Sequence, residues 1–208
     1  RMDTATLCPL TAGEIVDSVA TLRDESVRFL QALVREPSLL GQEQSAQALM
    51  KARFADLGLA VSELVIDEAA LKDHPGYSPS IVSYDGRVNV IGVHQPRAVR
   101  GRSLIFNGHI DVVPVGAERL WTRPPFEPWI AGDRLHGRGA NDMKAGIVAY
   151  TMALRALQRL GWQPAARVTM QRVIEAACTG NGALACLLAG YTADAAIIPE
   201  PGDEIMSA

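Results

Sequence analysis

Apolar positions set the rhythm of this chain. Between Thr11 and Pro37, Ile15, Val19, Leu22, Val27, Leu30 and Leu33 recur at helical intervals. Thr11 and Glu14 stand in capping-box spacing ahead of them, and Pro37 stops the pattern, so one helix is predicted there. The stretch "EQSAQALMKARFADLGL" predicts a second helix closing near Gly58, and "AVSELVIDE" alternates as a strand does. Residues 68–86, rich in proline, glycine and serine, read as a loop. Four short apolar runs then read as buried strands: "VNVIGVH", "SLIFNGH", "ARVTMQRVI" and "ADAAIIPE". Between them lie two apolar helical runs, "DMKAGIVAYTMALRALQRLG" and "NGALACLLAGY".

Strands alternating with helices of this length predict an α/β fold, a central, mostly parallel mixed sheet with helices on both faces. In such sheets ligands collect beyond the carboxyl ends of the strands. His109 and Asp111 follow one strand, Glu175 ends another, Glu200 ends a third, and Asp142 opens a helix. The expectation is that these residues converge at one edge.

Composition narrows the function. The 208 residues carry a net charge of −3 with no basic block, which argues against nucleic acid or an anionic membrane as partner. No apolar run approaches the length of a membrane span. Three cysteines, Cys8, Cys178 and Cys186, lack pairing or zinc-ribbon spacing and read as reduced thiols of a cytoplasmic protein. Of these, Cys178 is expected as a buried turn thiol and Cys186 as core. Arg1 precedes Met2, as the remnant of an added tag would, and about residues 1–10 read as a disordered tail.

One imidazole with several carboxylates forms a mixed nitrogen and oxygen donor set that suits Zn²⁺, with cobalt or manganese fitting the same donors. An aspartate two residues beyond a ligand histidine can hold its other ring nitrogen. Taken singly, each residue also has a plain reading: His109 as a strand-end packing group, Asp142 as a helix cap, Glu200 as a solvated charge.

The segments "GHIDVVPVG", "LWTRPPFEPWIAGDRLHGRGANDMKAGIVAY" and "CTGNGALACLLAGYTADAAIIPEP" together resemble the M20 family of metallopeptidases and amidohydrolases. This group includes acetylornithine deacetylases, succinyl-diaminopimelate desuccinylases and glutamate carboxypeptidases. The resemblance implies a zinc-exopeptidase-like fold and hydrolysis of an amide bond in a small N-acylated amino acid or peptide. It implies that His109 binds one zinc, Asp142 bridges two, Glu200 completes the first ion's ligands, and Asp111 is the catalytic aspartate oriented on the histidine. It also implies a cis Asp142–Met143 peptide.

Two departures stand out. Family members carry an acidic pair where this chain reads "VIEAACTGNG". Unshifted, the alignment puts Glu175 at the leading acidic position, Ala176 at the general base and Ala177 at the second zinc ligand. Shifted by one, it makes Glu175 the base and still leaves a ligand missing. The chain is therefore expected to be inactive as it stands and to hold at most about one zinc, either by deliberate substitution or as a natural pseudoenzyme that binds or interacts. Residues 1–208 also resemble only the N-terminal part of an M20 catalytic domain, without the C-terminal part and the lid domain through which the family usually forms homodimers.

Other signals carry less. Asp142 stands where a dinucleotide fingerprint needs glycine. His74, His94 and His136 read as structural or exposed. Trp121, Phe126 and Trp129 are expected to pack a loop beneath the site, and Arg138 to brace its backbone or a carboxylate.

Overall fold

The computed structural model describes residues 10–202. The expectations for the first residues, for Cys8 and for the last six positions lie outside this range. The chain opens with two helices where one was expected, α1 (Ala12–Thr21) and α2 (Arg23–Arg35). The Thr11–Glu14 capping box caps α1. The break falls at Leu22, which is fully buried and leaves the helical conformation with φ −91° and ψ 2°. The reason is legible in the spacing: from Leu22 to Val27 the apolar interval is five, so a single straight helix cannot keep both halves of the stripe on one face.

Next come α3 (Gln44–Asp56), β1 (Ala60–Val65) and, inside the stretch expected as loop, a one-turn helix α4 (Glu68–Leu71). Asp67 caps α4 through its side chain, and Leu71 is buried, so a cap and one apolar anchor suffice for this turn. β2 (Val88–His94) and β3 (Leu104–His109) follow. An unanticipated hairpin, β4 (Trp129–Ala131) and β5 (Arg134–His136), turns at Gly132 with φ 59°. Trp129 is thus part of a strand, stacked on His136 at 4.3 Å. The remaining elements are α5 (Gly146–Arg159), β6 (Val168–Val173), α6 (Asn181–Leu188) and β7 (Ala195–Ile197).

The main sheet runs β1-β2-β6-β3-β7. β3 pairs in parallel with β6 and β7, whereas β2 runs antiparallel to both β1 and β6. β6, buried along its whole length, is the spine. Its side chains alternate between faces as a strand requires. Met170 packs with Phe54 of α3 and Ile147 of α5 in the larger core, while Val173 joins Ile91 and Cys186 of α6 on the opposite face. Cys186 is core, as expected. No helix among the described residues is long and apolar enough to cross a membrane.

Because β3, β6 and β7 point the same way, their carboxyl ends lie side by side. His109 is the register partner of Val173, two residues before Glu175. Three residues past the end of β7 the chain reaches Glu200.

Candidate metal centre

His109 is the last residue of β3 and is almost wholly buried. Its Nε2 lies 3.1 Å from Asp142 Oδ1 and 3.4 Å from Glu200 Oε1. One donor atom from each of the three residues falls within 4.8 Å of the others. The two carboxylates are half open to solvent, with side-chain exposures of 61% and 46%. The structure therefore brings together three of the residues singled out from the sequence, at the edge of the sheet where they were expected.

The imidazole is held from behind. Its Nδ1 lies 2.8 Å from the main-chain oxygen of Asp111. A carbonyl can only accept, so Nδ1 donates and Nε2 presents its lone pair towards the two carboxylates. The Asp111 carboxylate sits farther off, at 3.7 Å from Nδ1. It instead accepts hydrogen bonds from the backbone N–H groups of Ala176 and Ala177, each at 3.3 Å. Main chain rather than side chain holds the ring, because the carboxylate is drawn to two turn donors that would otherwise be unpaired. Burial raises the pKa of Asp111, while the neighbouring His109 opposes the rise.

Asp142 belongs to the segment Ala140–Ala145, which leads into α5 and contains the expected cis peptide between Asp142 and Met143. Two buried side chains pin it. Met143 is fully enclosed, and the Lys144 ammonium donates to the Leu33 and Glu36 carbonyls at the end of α2, at 2.8 and 2.9 Å. Burial lowers the Lys144 pKa to about 8. Glu200 is placed by a close approach: a Cβ on Gly146 would lie 2.3 Å from the Pro199 oxygen, so only glycine at the start of α5 lets this segment in. The Glu200 pKa is raised, first by burial, with His109 opposing and Asp142 adding to the rise.

Ala177 lines a cavity of about 150 Å³ together with His109, Val112, Gly139, Arg138 and Asp142. Ala176 is half-buried and packs towards Ile91, Val173 and Cys186. Glu175 is not among the cavity-lining residues. It is fully buried with φ 59°, its Oε1 accepts from the Ile81 N–H at 3.1 Å, and Oε2 lies 3.9 Å from Arg87. Arg87 in turn grips Glu43 through two hydrogen bonds of 3.1 and 2.5 Å. Cys178, expected to be buried, is exposed, because the turn carrying it faces outward past Ala177. His74 and His94 bond only to backbone, and His136 stacks in the hairpin.

Arg138, read from the sequence as a brace, is among the residues lining this cavity, and its guanidinium carbon lies 5.1 Å from the centre of the Trp121 ring. A donor set of one imidazole nitrogen and two carboxylate oxygens, partly open to water, fits a single divalent ion.

Residues 105–205 match the family model described as peptidase family M20/M25/M40. The fold is similar to human carnosine dipeptidase 1, with TM-score 0.63 and 20% identity over 80% of this chain. It is also similar to an M20 family metallo-carboxypeptidase from Sulfolobus solfataricus, with TM-score 0.65 and 19% identity over 86% of this chain. A tripeptidase from Staphylococcus aureus gives TM-score 0.63 and 22% identity over 86% of this chain. The chain spans only 34%, 38% and 43% of the length of these three structures.

Proposed function

We propose that this chain, an M20-type peptidase segment, carries one half of a metal-dependent amide-hydrolysing centre for small N-acylated amino acids or peptides and is hydrolytically silent as it stands. The observation that carries the reading is the convergence of His109 Nε2, Asp142 Oδ1 and Glu200 Oε1 at the carboxyl ends of parallel strands. His109 would bind the ion through Nε2, with its Nδ1 proton held by the Asp111 carbonyl. Asp142 and Glu200 would supply the anionic oxygens, and zinc, cobalt and manganese all suit such donors. An ion held there would supply Lewis acidity towards a substrate carbonyl and a water, whose pKa such ions bring towards about 7.

The chain's own residues limit the chemistry that such an ion can support. Hydrolysis needs a group to take the water's proton and return it to the leaving amine. A methyl at Ala176 can do neither, and Ala177, which faces the cavity, offers no donor to a second ion. Asp111 already accepts from two backbone N–H groups and holds the turn in place of doing proton work. A pure binding module on the same fold is the second reading, favoured by these two methyl groups.

The test is the double variant Ala176→Glu with Ala177→Glu, loaded with zinc and assayed on N-acyl amino acids and dipeptides. Hydrolysis by the variant and none by the parent chain supports the proposal. Hydrolysis by the parent chain contradicts its silence, and none by either protein favours the binding module.

A further inference from the structure

β3 outruns its neighbour at the edge of the sheet. β7 pairs with β3 only over Leu104–Phe106, ending with Phe106 opposite Ile197. Along a strand the backbone groups of successive residues point to alternate sides. The Ile110 N–H donates to the Val173 oxygen beside β6 at 2.9 Å, so the His109 N–H points to the other side, beyond the end of the β7 ladder. His109 is almost wholly buried, and a buried N–H without an acceptor costs free energy.

Met143 supplies the acceptor. The His109 N–H donates to its Sδ at 3.1 Å, and Met143 is fully buried. Gly108 makes the approach possible, because a Cβ there would lie 2.9 Å from the Met143 Cε and 3.3 Å from its Sδ. Met143 also directly follows Asp142, whose Oδ1 lies 3.1 Å from His109 Nε2. His109 and Asp142 are thus joined twice, across the site by their side chains and behind it by the thioether. Lys144 fixes the same segment to the end of α2, whereas Met143 fixes it to β3. A thioether is a weak acceptor, and its main effect here is on where Asp142 stands against His109.

We infer that Met143 is a positioning residue, whose sulfur sets the separation of His109 and Asp142 and thereby the fit of the cluster to a divalent ion. This deepens the functional proposal above and rests on it. Outer partners that orient the ligands of a metal govern its affinity without touching the ion. The acceptor matters here and not the volume of the side chain: leucine fills nearly the same space and leaves the His109 N–H unpaired.

The test compares Met143→Leu with Met170→Leu, the same change at a fully buried methionine of β6. Zinc affinity is read by calorimetric titration of the full chain, stability by thermal melting, and the His109 amide and ring by NMR of the chelator-treated protein. In the parent chain the His109 amide should be protected from exchange, a result that does not depend on the folding of any variant. Met143→Leu should weaken zinc about tenfold, speed exchange of that amide about tenfold and shift the ring resonances. Met170→Leu should leave all three at parent values, whatever it does to the melting temperature. Unchanged zinc affinity in Met143→Leu, an equal loss in Met170→Leu, or a His109 amide that exchanges freely in the parent chain overturns the inference. Absence of zinc from the parent chain would count against the metal reading instead, and the spectra of the chelator-treated protein would still decide the role of Met143.

Discussion

Nδ1 of His109 donates to the main-chain oxygen of Asp111 at 2.8 Å, while the carboxylate of the same residue lies 3.7 Å away and is spent on the N–H groups of Ala176 and Ala177. The aspartate thus ties two strand ends together, its backbone holding the imidazole on β3 and its side chain holding the turn after β6. Asparagine at this position would keep one acceptor and lose the other. Asp111→Asn should cost about 1–3 kcal/mol of stability in denaturant titration. Its zinc affinity should change far less than in His109→Ala. A loss of zinc as large as that of the histidine variant would show that the carboxylate, and not the carbonyl, orients the ring.

Glu200 depends on a glycine far from it in sequence. A Cβ added to Gly146 would stand 2.3 Å from the Pro199 oxygen, so Gly146→Ala must displace the segment that carries Glu200. Overpacking of this kind costs about 1–3 kcal/mol. Zinc affinity should fall together with stability, read by calorimetry and thermal melting. An alanine variant with the affinity of the parent would mean that Glu200 is not a ligand.

Arg87 serves two buried carboxylates, Glu43 at 2.5 Å and Glu175 at 3.9 Å. Removing it strands negative charge in the core. Arg87→Met should destabilise the fold by about 3–5 kcal/mol, whereas the surface pair Lys51–Glu63 should be worth at most about 1 kcal/mol. Urea midpoints of Arg87→Met and Lys51→Met check the contrast.

Two buried groups set an alkaline limit. Burial pushes the Cys186 thiol from 9.0 to about 12 and the Tyr84 hydroxyl from 10.0 to about 12. Because these folded-state values are raised, the unfolded chain releases protons first, and the stability they contribute is present below pH 9 and lost as pH rises towards 12. Cys186→Ala should flatten that decline in denaturant titrations between these limits. Site-resolved alkylation of the native protein at pH 9 should modify the exposed Cys178 and spare Cys186.

Much of this architecture was legible because strand patterns here are strong. "VNVIGVH" is a strand over its full length, and His109, Asp142 and Glu200 meet where strand-end logic put them. What escaped has local causes. The break at Leu22 turns on one five-residue interval, Leu22 to Val27, in a run that otherwise keeps helical spacing. The hairpin after Trp129 is only three residues a side and lacks an alternating pattern long enough to read. Cys178 reads as a buried turn thiol from the sequence, yet the turn that carries it faces outward. The partners of Asp111 depend on a carbonyl and two N–H groups, and backbone carries no mark in a sequence.

The most direct measurement is a zinc titration of the full chain beside His109→Ala and Glu200→Gln, with bound metal counted after gel filtration. About one zinc per chain is expected, lost in His109→Ala and weakened at least about tenfold in Glu200→Gln. Zinc that binds equally well to the histidine variant, or to none of the three proteins, would contradict the metal centre.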